Sequence, residues 1–195
     1  MRLVGGNLAL DFVNTRSGPP TGPPDDDVLT SYPALLAWGV YASALTESEA
    51  AELRRRADLD PQGAQAAFAR AVHIRDYLDE VFRSVATGAD PSASALARLR
   101  DDEAEAVAHA HLARGDTYAW SWREDHTLGR PLRPVVHGAV QLLTTGALNR
   151  IKGCAGCSFL FADESKNRSR RWCSMQDCGT EAKMRRYVAV RRTRS

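Results

Sequence analysis

Four cysteines near the carboxyl-terminal end of the chain have the type and spacing of metal ligands. Cys154, Cys157, Cys173 and Cys178 follow the pattern Cys-x2-Cys-x15-Cys-x4-Cys. Tetrahedral Zn²⁺ takes four thiolates at about 2.3 Å, and two close pairs joined by a hairpin-sized loop supply them. The spacing therefore predicts a zinc site. Because four thiolates leave no open coordination position, the ion would be structural and not catalytic.

Two other uses of cysteine fit the sequence less well. Disulfides form in oxidising compartments, and residues 1–11 lack the apolar region of a secretory signal. A redox Cys-x-x-Cys begins a helix after a strand and needs no second pair. No apolar run approaches the ~18 residues of a membrane span. We therefore expect reduced thiols, a cytoplasmic location and no membrane segment.

The segment that joins the two cysteine pairs predicts a β-hairpin. Residues 158–163 would form one strand, 164–167 the turn and 168–173 the return strand. Cys178 would then lie in the first turn of a terminal helix, so that knuckle, hairpin and helix give a treble-clef zinc finger. A tail of this size has little core of its own, so metal binding would supply its folding energy. Chelation is expected to unfold the tail and spare the rest.

Charge is distributed unevenly along the chain. Residues 1–150 carry 15 basic and 20 acidic residues, whereas residues 151–195 carry 11 basic and 4 acidic ones. A basic, metal-stapled helix suits the phosphate backbone of a nucleic acid. The candidate contacts are Arg168, Arg170 and Arg171 on the return strand, followed by Lys183, Arg185, Arg186, Arg191, Arg192 and Arg194 on the terminal helix.

Three interpretations of this basic tail stay open. DNA binding is favoured, binding to protein or RNA comes next, and a solvated tail without a specific partner is the third. A single finger supplies few phosphate contacts, so tight specific binding would need dimerisation or further contacts. Met184, Tyr187 and Val188 form a narrow apolar strip on the predicted helix, which would dock on the hairpin.

The first 150 residues predict a mostly helical body. Thr46 and Glu49 have the spacing of a capping box, and Asp60-Pro61 and Asp90-Pro91 are helix start signals. The predicted helices span about 31–44, 46–58, 61–87, 91–114 and 132–150, with a strand over 117–124. The expected fold class is therefore mainly α with a small β element: a helical domain over 1–150, then a treble-clef-like zinc finger over 151–195.

One arginine interrupts the apolar face of the helix predicted over 61–87. Arg75 falls among Ala71, Val72 and Leu78, and a charge on a core face needs a partner. Asp11 and Asn14 are candidate partners, and a snorkelling Arg75 is an alternative. A sharper hypothesis is that Asp11, Asn14 and Arg75 line a pocket for a small anionic or polar ligand.

Catalysis is the least favoured function. The sequence contains no P-loop, no His-Glu-x-x-His and no Gly-x-Ser-x-Gly. The histidines lack a matching carboxylate or cysteine pattern, and His109 and His111 would point to different sides of a helix. An enzyme that uses Asp11, Asn14 and Arg75 is the remaining option of this kind, and we do not expect one.

Two stretches resemble known families. Residues 171–183, Arg-Trp-Cys-Ser-Met-Gln-Asp-Cys-Gly-Thr-Glu-Ala-Lys, resemble the CGNR zinc finger, and residues 8–15, Leu-Ala-Leu-Asp-Phe-Val-Asn-Thr, resemble the start of the ABATE domain. The resemblance implies a bacterial transcription regulator with a sensor-like helical body and a DNA-binding finger. Thr180 and Glu181 stand where the finger family has Asn and Arg. Glu181 would either repel a phosphate or pair with Arg168 or Arg185.

Overall fold

The computed structural model describes residues 2–122 and 125–192, and no helix in that part is long and apolar enough to cross a membrane. The fold is mainly helical, which confirms the predicted class. Its helices are α1 Leu8–Val13, α2 Tyr32–Tyr41, α3 Glu47–Leu59, α4 Pro61–Thr87, α5 Ala93–Ala108, α6 Arg133–Thr145 and α7 Thr180–Arg192. Three antiparallel pairs join β1 Arg16–Ser17 with β2 Asp26–Asp27, β3 Ala110–Arg114 with β4 Tyr118–Trp122, and β5 Ile151–Gly153 with β6 Leu160–Ala162.

Local capping explains where two of the long helices begin. Thr46 Oγ1 accepts from the Glu49 backbone N–H at 3.1 Å, and the Glu49 carboxylate accepts from the Thr46 N–H at 2.7 Å, as the capping box predicts. The Asp60 carboxylate accepts from the Gly63 N–H at the start of α4. That helix ends at Gly88, whose φ of 76° is a left-handed conformation that glycine adopts without a steric cost.

The short helix α1 lies at the centre of the body. It packs against α4 and α6 on one side and against β6 on another. Phe12 is fully buried, and its ring centroid lies 5.0 Å from that of Trp38 on α2. The apolar residues of this segment thus form the middle of the core, and its polar residues are held inside the protein with them.

Two predicted helices are too long. The helix predicted over 91–114 ends at Ala108, and Ala110–Arg114 instead pairs with Tyr118–Trp122 around a turn in which the Gly115 N–H donates to the Thr117 carbonyl. The aromatic strand supplies backbone partners that outweigh local helix propensity. The helix predicted over 132–150 ends at Thr145, before Gly146. Residues 123 and 124, the end of the predicted strand, lie outside the described residues.

The predicted hairpin of the finger is paired differently. Its first strand is present as β6, but β6 pairs with β5 and not with residues 168–173, so Cys154 and Cys157 lie at the turn of the β5–β6 hairpin. The buried Asp163 carboxylate accepts hydrogen bonds from Lys152 Nζ at 2.6 Å and from the Ser165 N–H at 2.9 Å. These bonds turn the chain away after β6, and residues 168–173 cross the cysteine cluster as a loop.

Candidate metal centre and basic surface

The four predicted ligands meet at one point. The sulfur atoms of Cys154, Cys157, Cys173 and Cys178 all lie within 4.8 Å of one another. The Sγ atoms of Cys157 and Cys173 are 3.6 Å apart, and those of Cys173 and Cys178 are 3.7 Å apart. Four bonds of about 2.3 Å in a tetrahedron place the sulfurs about 3.8 Å from one another. The cluster therefore fits a zinc ion.

Each pair of cysteines is placed by its own local structure. The Cys154 N–H donates to the Phe159 carbonyl at 2.8 Å and closes the turn that carries Cys154 and Cys157. A Cβ on Gly156 would lie 2.8 Å from the Cys178 Cβ, so only glycine allows this close approach. Cys178 lies in a π-helical turn, Met175–Gly179, which leads directly into α7.

The four thiols of the cluster do not all ionise without a cation. Hydrogen bonds from the Cys157 and Cys173 thiols lower the pKa of Cys154, and the backbone N–H groups of Gly156 and Cys173 donate to its sulfur at 3.3 and 3.2 Å. The same contact with Cys154 raises the pKa of Cys157 to about 12. The thiols alone thus favour a single thiolate. A divalent cation stabilises all four, with no coordination position left for a substrate.

Arg170, one of the predicted nucleic-acid contacts, is engaged by contacts within the protein. Its guanidinium lies 4.3 Å from the centroid of the buried Phe161 ring. It donates to the Val4 carbonyl at 2.9 Å and to the Trp172 carbonyl at 3.1 Å, and it also bonds the Cys173 carbonyl. The guanidinium thus fastens the finger to the amino-terminal segment of the chain, and its role in nucleic-acid binding stays a prediction.

The remaining predicted cations lie on the surface of the finger. Arg168 and Arg171 are exposed on the loop that crosses the cysteines, and Lys183, Arg185, Arg186 and Arg191 are exposed on α7. The Arg192 backbone ends α7, but its side chain, like the whole of Arg194, lies outside the described structure. An Arg185 Nη2 atom lies 3.8 Å from a carboxylate oxygen of Glu181, which agrees with the pairing considered for Glu181. Both side chains are well exposed, so this pair contributes little stability.

The apolar strip on α7 does not dock on the hairpin as predicted. Met184 is 58% exposed, Tyr187 54% and Val188 45%. Helix α7 makes its main contacts with the π-helical turn that precedes it, and Arg170 covers the Phe161 ring in the finger. The predicted pairing of residues 158–163 with 168–173 is replaced by the β5–β6 hairpin, so the expected docking surface is not formed among the described residues.

Arg75 is paired, but with a residue that the sequence did not indicate. Its side chain is 2% exposed and donates to both carboxylate oxygens of Asp27, each at 2.6 Å, and to Thr15 Oγ1 at 3.0 Å. The predicted pair with Asp11 is therefore wrong. Burial alone would raise the pKa of Asp27. The hydrogen bonds and the charge of Arg75 lower it by more than burial raises it, so the net shift is downward. The signal available in the sequence was the run of three aspartates at 25–27.

Asp11 in α1 and Asn14, which caps the end of that helix, do not bind Arg75. The Asp11 carboxylate accepts from the Gly5 N–H at 2.7 Å. The Asn14 side chain binds the backbone of Leu160 in β6. Both residues line a cavity of about 200 Å³ next to the finger, and Arg75 is not among its walls. The structure thus brings together two of the three residues predicted to bind a ligand.

Two family models match the chain. ABATE, described as "Putative stress-induced transcription regulator", matches residues 6–146, and the CGNR zinc finger matches residues 150–192. No curated protein matches. The finger match and the cysteine cluster together confirm zinc as the cofactor. Since the first model spans most of the chain and the second most of the rest, the chain belongs to the ABATE family and carries a CGNR zinc finger at its carboxyl-terminal end.

Proposed function

We propose that this chain is a zinc-dependent regulator that binds DNA through the exposed cations of its finger. The observation that carries the proposal is the group of exposed basic side chains on the two elements that adjoin the zinc ligands Cys173 and Cys178. These are Arg168 and Arg171 on the loop and Lys183, Arg185, Arg186 and Arg191 on α7. Glu181 is the only acidic residue in the sequence of α7. Such a surface matches the charge density of duplex DNA.

The zinc ion would position this surface without taking part in chemistry. Cys178 lies in the turn that leads into α7, and Cys173 follows the loop that carries Arg168 and Arg171. Zinc binding would therefore fix both basic elements relative to each other. In α7, Glu181 lies in the first turn, where a negative charge is favourable next to the helix dipole. Its effect on DNA affinity would be a modest repulsion.

We also propose that the helical body senses a small ligand and that the regulator is not an enzyme. The support is the position of the cavity lined by Asp11 and Asn14. It lies between α1 and the finger, so an occupant would contact both parts. The families that match are described as a regulator and a zinc finger, and neither description names a reaction.

A second candidate function is a protein-interaction module. The exposed strip of Met184, Tyr187 and Val188 favours it, because a basic helix with a narrow apolar face suits a groove on an acidic protein. In this alternative zinc only holds α7 in position, and the protein makes no specific contacts with DNA.

The experiment is a salt titration of DNA binding by the zinc-loaded full chain. Fluorescence anisotropy with a mixed-sequence duplex should give a slope of log K against log salt of about −4 to −5, for about five neutralised phosphates. The double substitution Arg185→Gln/Arg186→Gln should reduce the magnitude of that slope by about two. Arg54→Gln/Arg56→Gln on α3, which removes the same charge from an exposed helix of the body, serves as the matched control.

Three results would contradict DNA binding through the finger. They are an equal loss of affinity in the α3 control, an unchanged slope in the α7 variant, and full binding by Cys173→Ser after zinc has been removed. Binding to an acidic protein, without measurable binding to duplex DNA at about 50 mM salt, would favour the interaction module.

A further inference from the structure

The cavity beside α1 has the size and walls of a small-molecule site. Its volume of about 200 Å³ corresponds to about seven water molecules at about 30 Å³ each. Asp11 and Asn14 from α1, Asp26 from β2 and Trp38 from α2 contribute walls on the body side. Phe159, from the segment between Cys157 and β6, closes it on the finger side.

The carboxylates in this cavity have no cation at ion-pair distance among the described residues. Asp11 is 8% exposed, and its carboxylate accepts from the backbone N–H groups of Gly5 and Val4, which are neutral. Within the described residues, no Lys, Arg or His nitrogen lies at ion-pair distance from Asp11 or Asp26. Burial raises the pKa of Asp11, and the N–H groups of Gly5 and Val4 and the charge of Arg170 offset only part of that rise.

The arginines around this region already have other partners, and Arg170, whose charge acts on Asp11 from a greater distance, donates to the Val4, Trp172 and Cys173 carbonyls. Arg2 lines the cavity but forms its ion pair with Asp177 of the finger. Arg75 is held by both oxygens of Asp27. The sequence suggested an anionic or polar ligand because it placed Arg75 in the pocket. Because Arg75 is not among the walls, the charges in the cavity without an ion-pair partner are those of Asp11 and Asp26. The expected ligand is therefore a cation and not an anion.

The apolar walls favour the same class of ligand. Trp38 is fully buried from bulk solvent but borders the cavity, and Phe159 faces it from the finger. Aromatic rings stabilise organic cations, and they also cover the methylene groups of an alkyl chain. An inorganic ion would leave these walls without contacts. A carboxylate at the buried end and an alkyl-sized apolar wall together select an alkylammonium.

We propose that this cavity binds a short aliphatic diamine, with Asp11 as the buried counter-ion of one ammonium and Asp26 as the partner of the other. This inference rests on the ligand-sensing part of the proposed function and names its ligand class. A four-carbon diamine has six non-hydrogen atoms and fits the available volume. The ligand exchanges its hydration for two charge-assisted contacts and apolar burial.

The same cavity connects its occupant to the finger. Phe159 is one of its walls, and it follows the zinc ligand Cys157 by two positions. Asn14, one helical turn after Asp11, binds the backbone of Leu160, the residue after Phe159. A diamine held by Asp11 therefore stabilises the contact between α1 and the finger, and it changes DNA affinity through the finger's position.

The test is calorimetric titration of the zinc-loaded full chain with 1,4-diaminobutane. Butane-1,4-diol and succinate, which have the same chain length with no charge and with two negative charges, are the comparison probes. We expect the diamine to bind at least about tenfold more tightly than either probe, since two charged contacts are lost or reversed in them. Succinate binding more tightly than the diamine would overturn the proposal.

Two variants and one matched control locate the site. Asp11→Asn keeps an acceptor for the Gly5 N–H and should lower diamine affinity at least about tenfold. Asp26→Asn, on an exposed strand position, removes a charge without removing a hydrogen bond given by the described structure and should also weaken binding. Asp90→Asn removes the same charge from an exposed position before α5 and should leave binding unchanged. Diamine affinity that survives both cavity variants would overturn the proposal.

DNA binding, measured with and without 1,4-diaminobutane, separates this inference from the proposed function. A shift in DNA affinity that disappears in Asp11→Asn but persists in Asp90→Asn supports sensing through the cavity. Normal DNA binding without any diamine binding contradicts the cavity proposal and leaves the DNA-binding function intact. Diamine binding with no DNA binding has the opposite meaning: the cavity site stands and the proposed function fails.

Discussion

The Asn14 side chain and the Leu160 backbone form a reciprocal pair of hydrogen bonds. Asn14 Nδ2 donates to the Leu160 carbonyl at 2.8 Å, and the Leu160 N–H donates to Asn14 Oδ1 at 2.8 Å. A side chain of α1 thus supplies the partner that a neighbouring strand would give to β6. Because both bonds are buried, the helical body and the finger are joined by a contact that water cannot replace.

Replacing Asn14 by alanine should therefore destabilise the whole chain. The Leu160 N–H and carbonyl would both be left without partners in a buried site, which costs about 2–4 kcal/mol of unfolding free energy. Urea denaturation monitored by circular dichroism measures the change. Asn167→Ala, at an exposed position of the finger, is the control and should be nearly neutral. Equal denaturation midpoints for the two variants would contradict the structural role of Asn14.

Arg170 and Arg171 are neighbours with predicted opposite phenotypes. Arg170→Gln removes donors from the Val4, Trp172 and Cys173 carbonyls, so we expect a loss of about 2–3 kcal/mol and faster zinc release to a chelator. Arg171→Gln should keep stability and zinc retention but weaken DNA binding, because its side chain is exposed. Zinc release measured with a colorimetric chelator, together with DNA anisotropy, separates the two effects. A DNA defect with normal zinc retention in Arg170→Gln would contradict this assignment.

The Arg75–Asp27 pair should make stability sensitive to one substitution. Asp27→Asn leaves the buried guanidinium of Arg75 without a counter-charge, and we expect a loss of about 2–3 kcal/mol in thermal or urea unfolding. Asp25→Asn, at an exposed position just before β2, is the matched control. An equal effect of the two substitutions would show that the total negative charge of residues 25–27, and not this ion pair, stabilises the protein.

The lowered pKa of Asp27 also predicts a direction for the pH dependence. The ionised carboxylate is favoured in the folded state, so its contribution to stability is fully present above its ordinary pKa of 3.8. That contribution is lost as the pH falls further, through the lower pKa of the folded state. As the pH is lowered from about 6 to 3, the free energy of unfolding should therefore decrease less steeply for Asp27→Asn than for the parent protein. Parallel curves would contradict the shift.

Zinc removal should affect more than the carboxyl-terminal tail. The sequence predicts that chelation spares the body, but Ile151 and Leu160 of the β5–β6 hairpin are buried in the core of the body, next to the cysteine turn. We expect chelation to lower the thermal midpoint of the whole protein in addition to unfolding the cysteine loops. Differential scanning calorimetry with and without EDTA tests this. An unchanged main transition would restore the prediction of independent parts.

Several features were correctly predicted because their signals are local. The cysteine spacing predicts the zinc centre, and the capping residues of α3 and α4 predict where those helices begin, since each signal depends on residues a few positions apart. The exposed cations of the tail and the mainly helical class also follow from composition and periodicity. The domain boundary near residue 150 stays a prediction.

Only the tertiary structure decided which distant residues meet. Arg75 pairs with Asp27 and not Asp11, β6 pairs with β5 and not with residues 168–173, and Arg170 fastens the finger to Val4. In each case several partners of suitable chemistry were present in the sequence. The choice among them depends on how α1, α4 and the hairpin pack around a shared core, and periodicity along one segment carries no information about that packing. The sequence by itself therefore determined the zinc chemistry and the positive charge of the tail, whereas packing determined the charge of the cavity and the connection between the cavity and the finger.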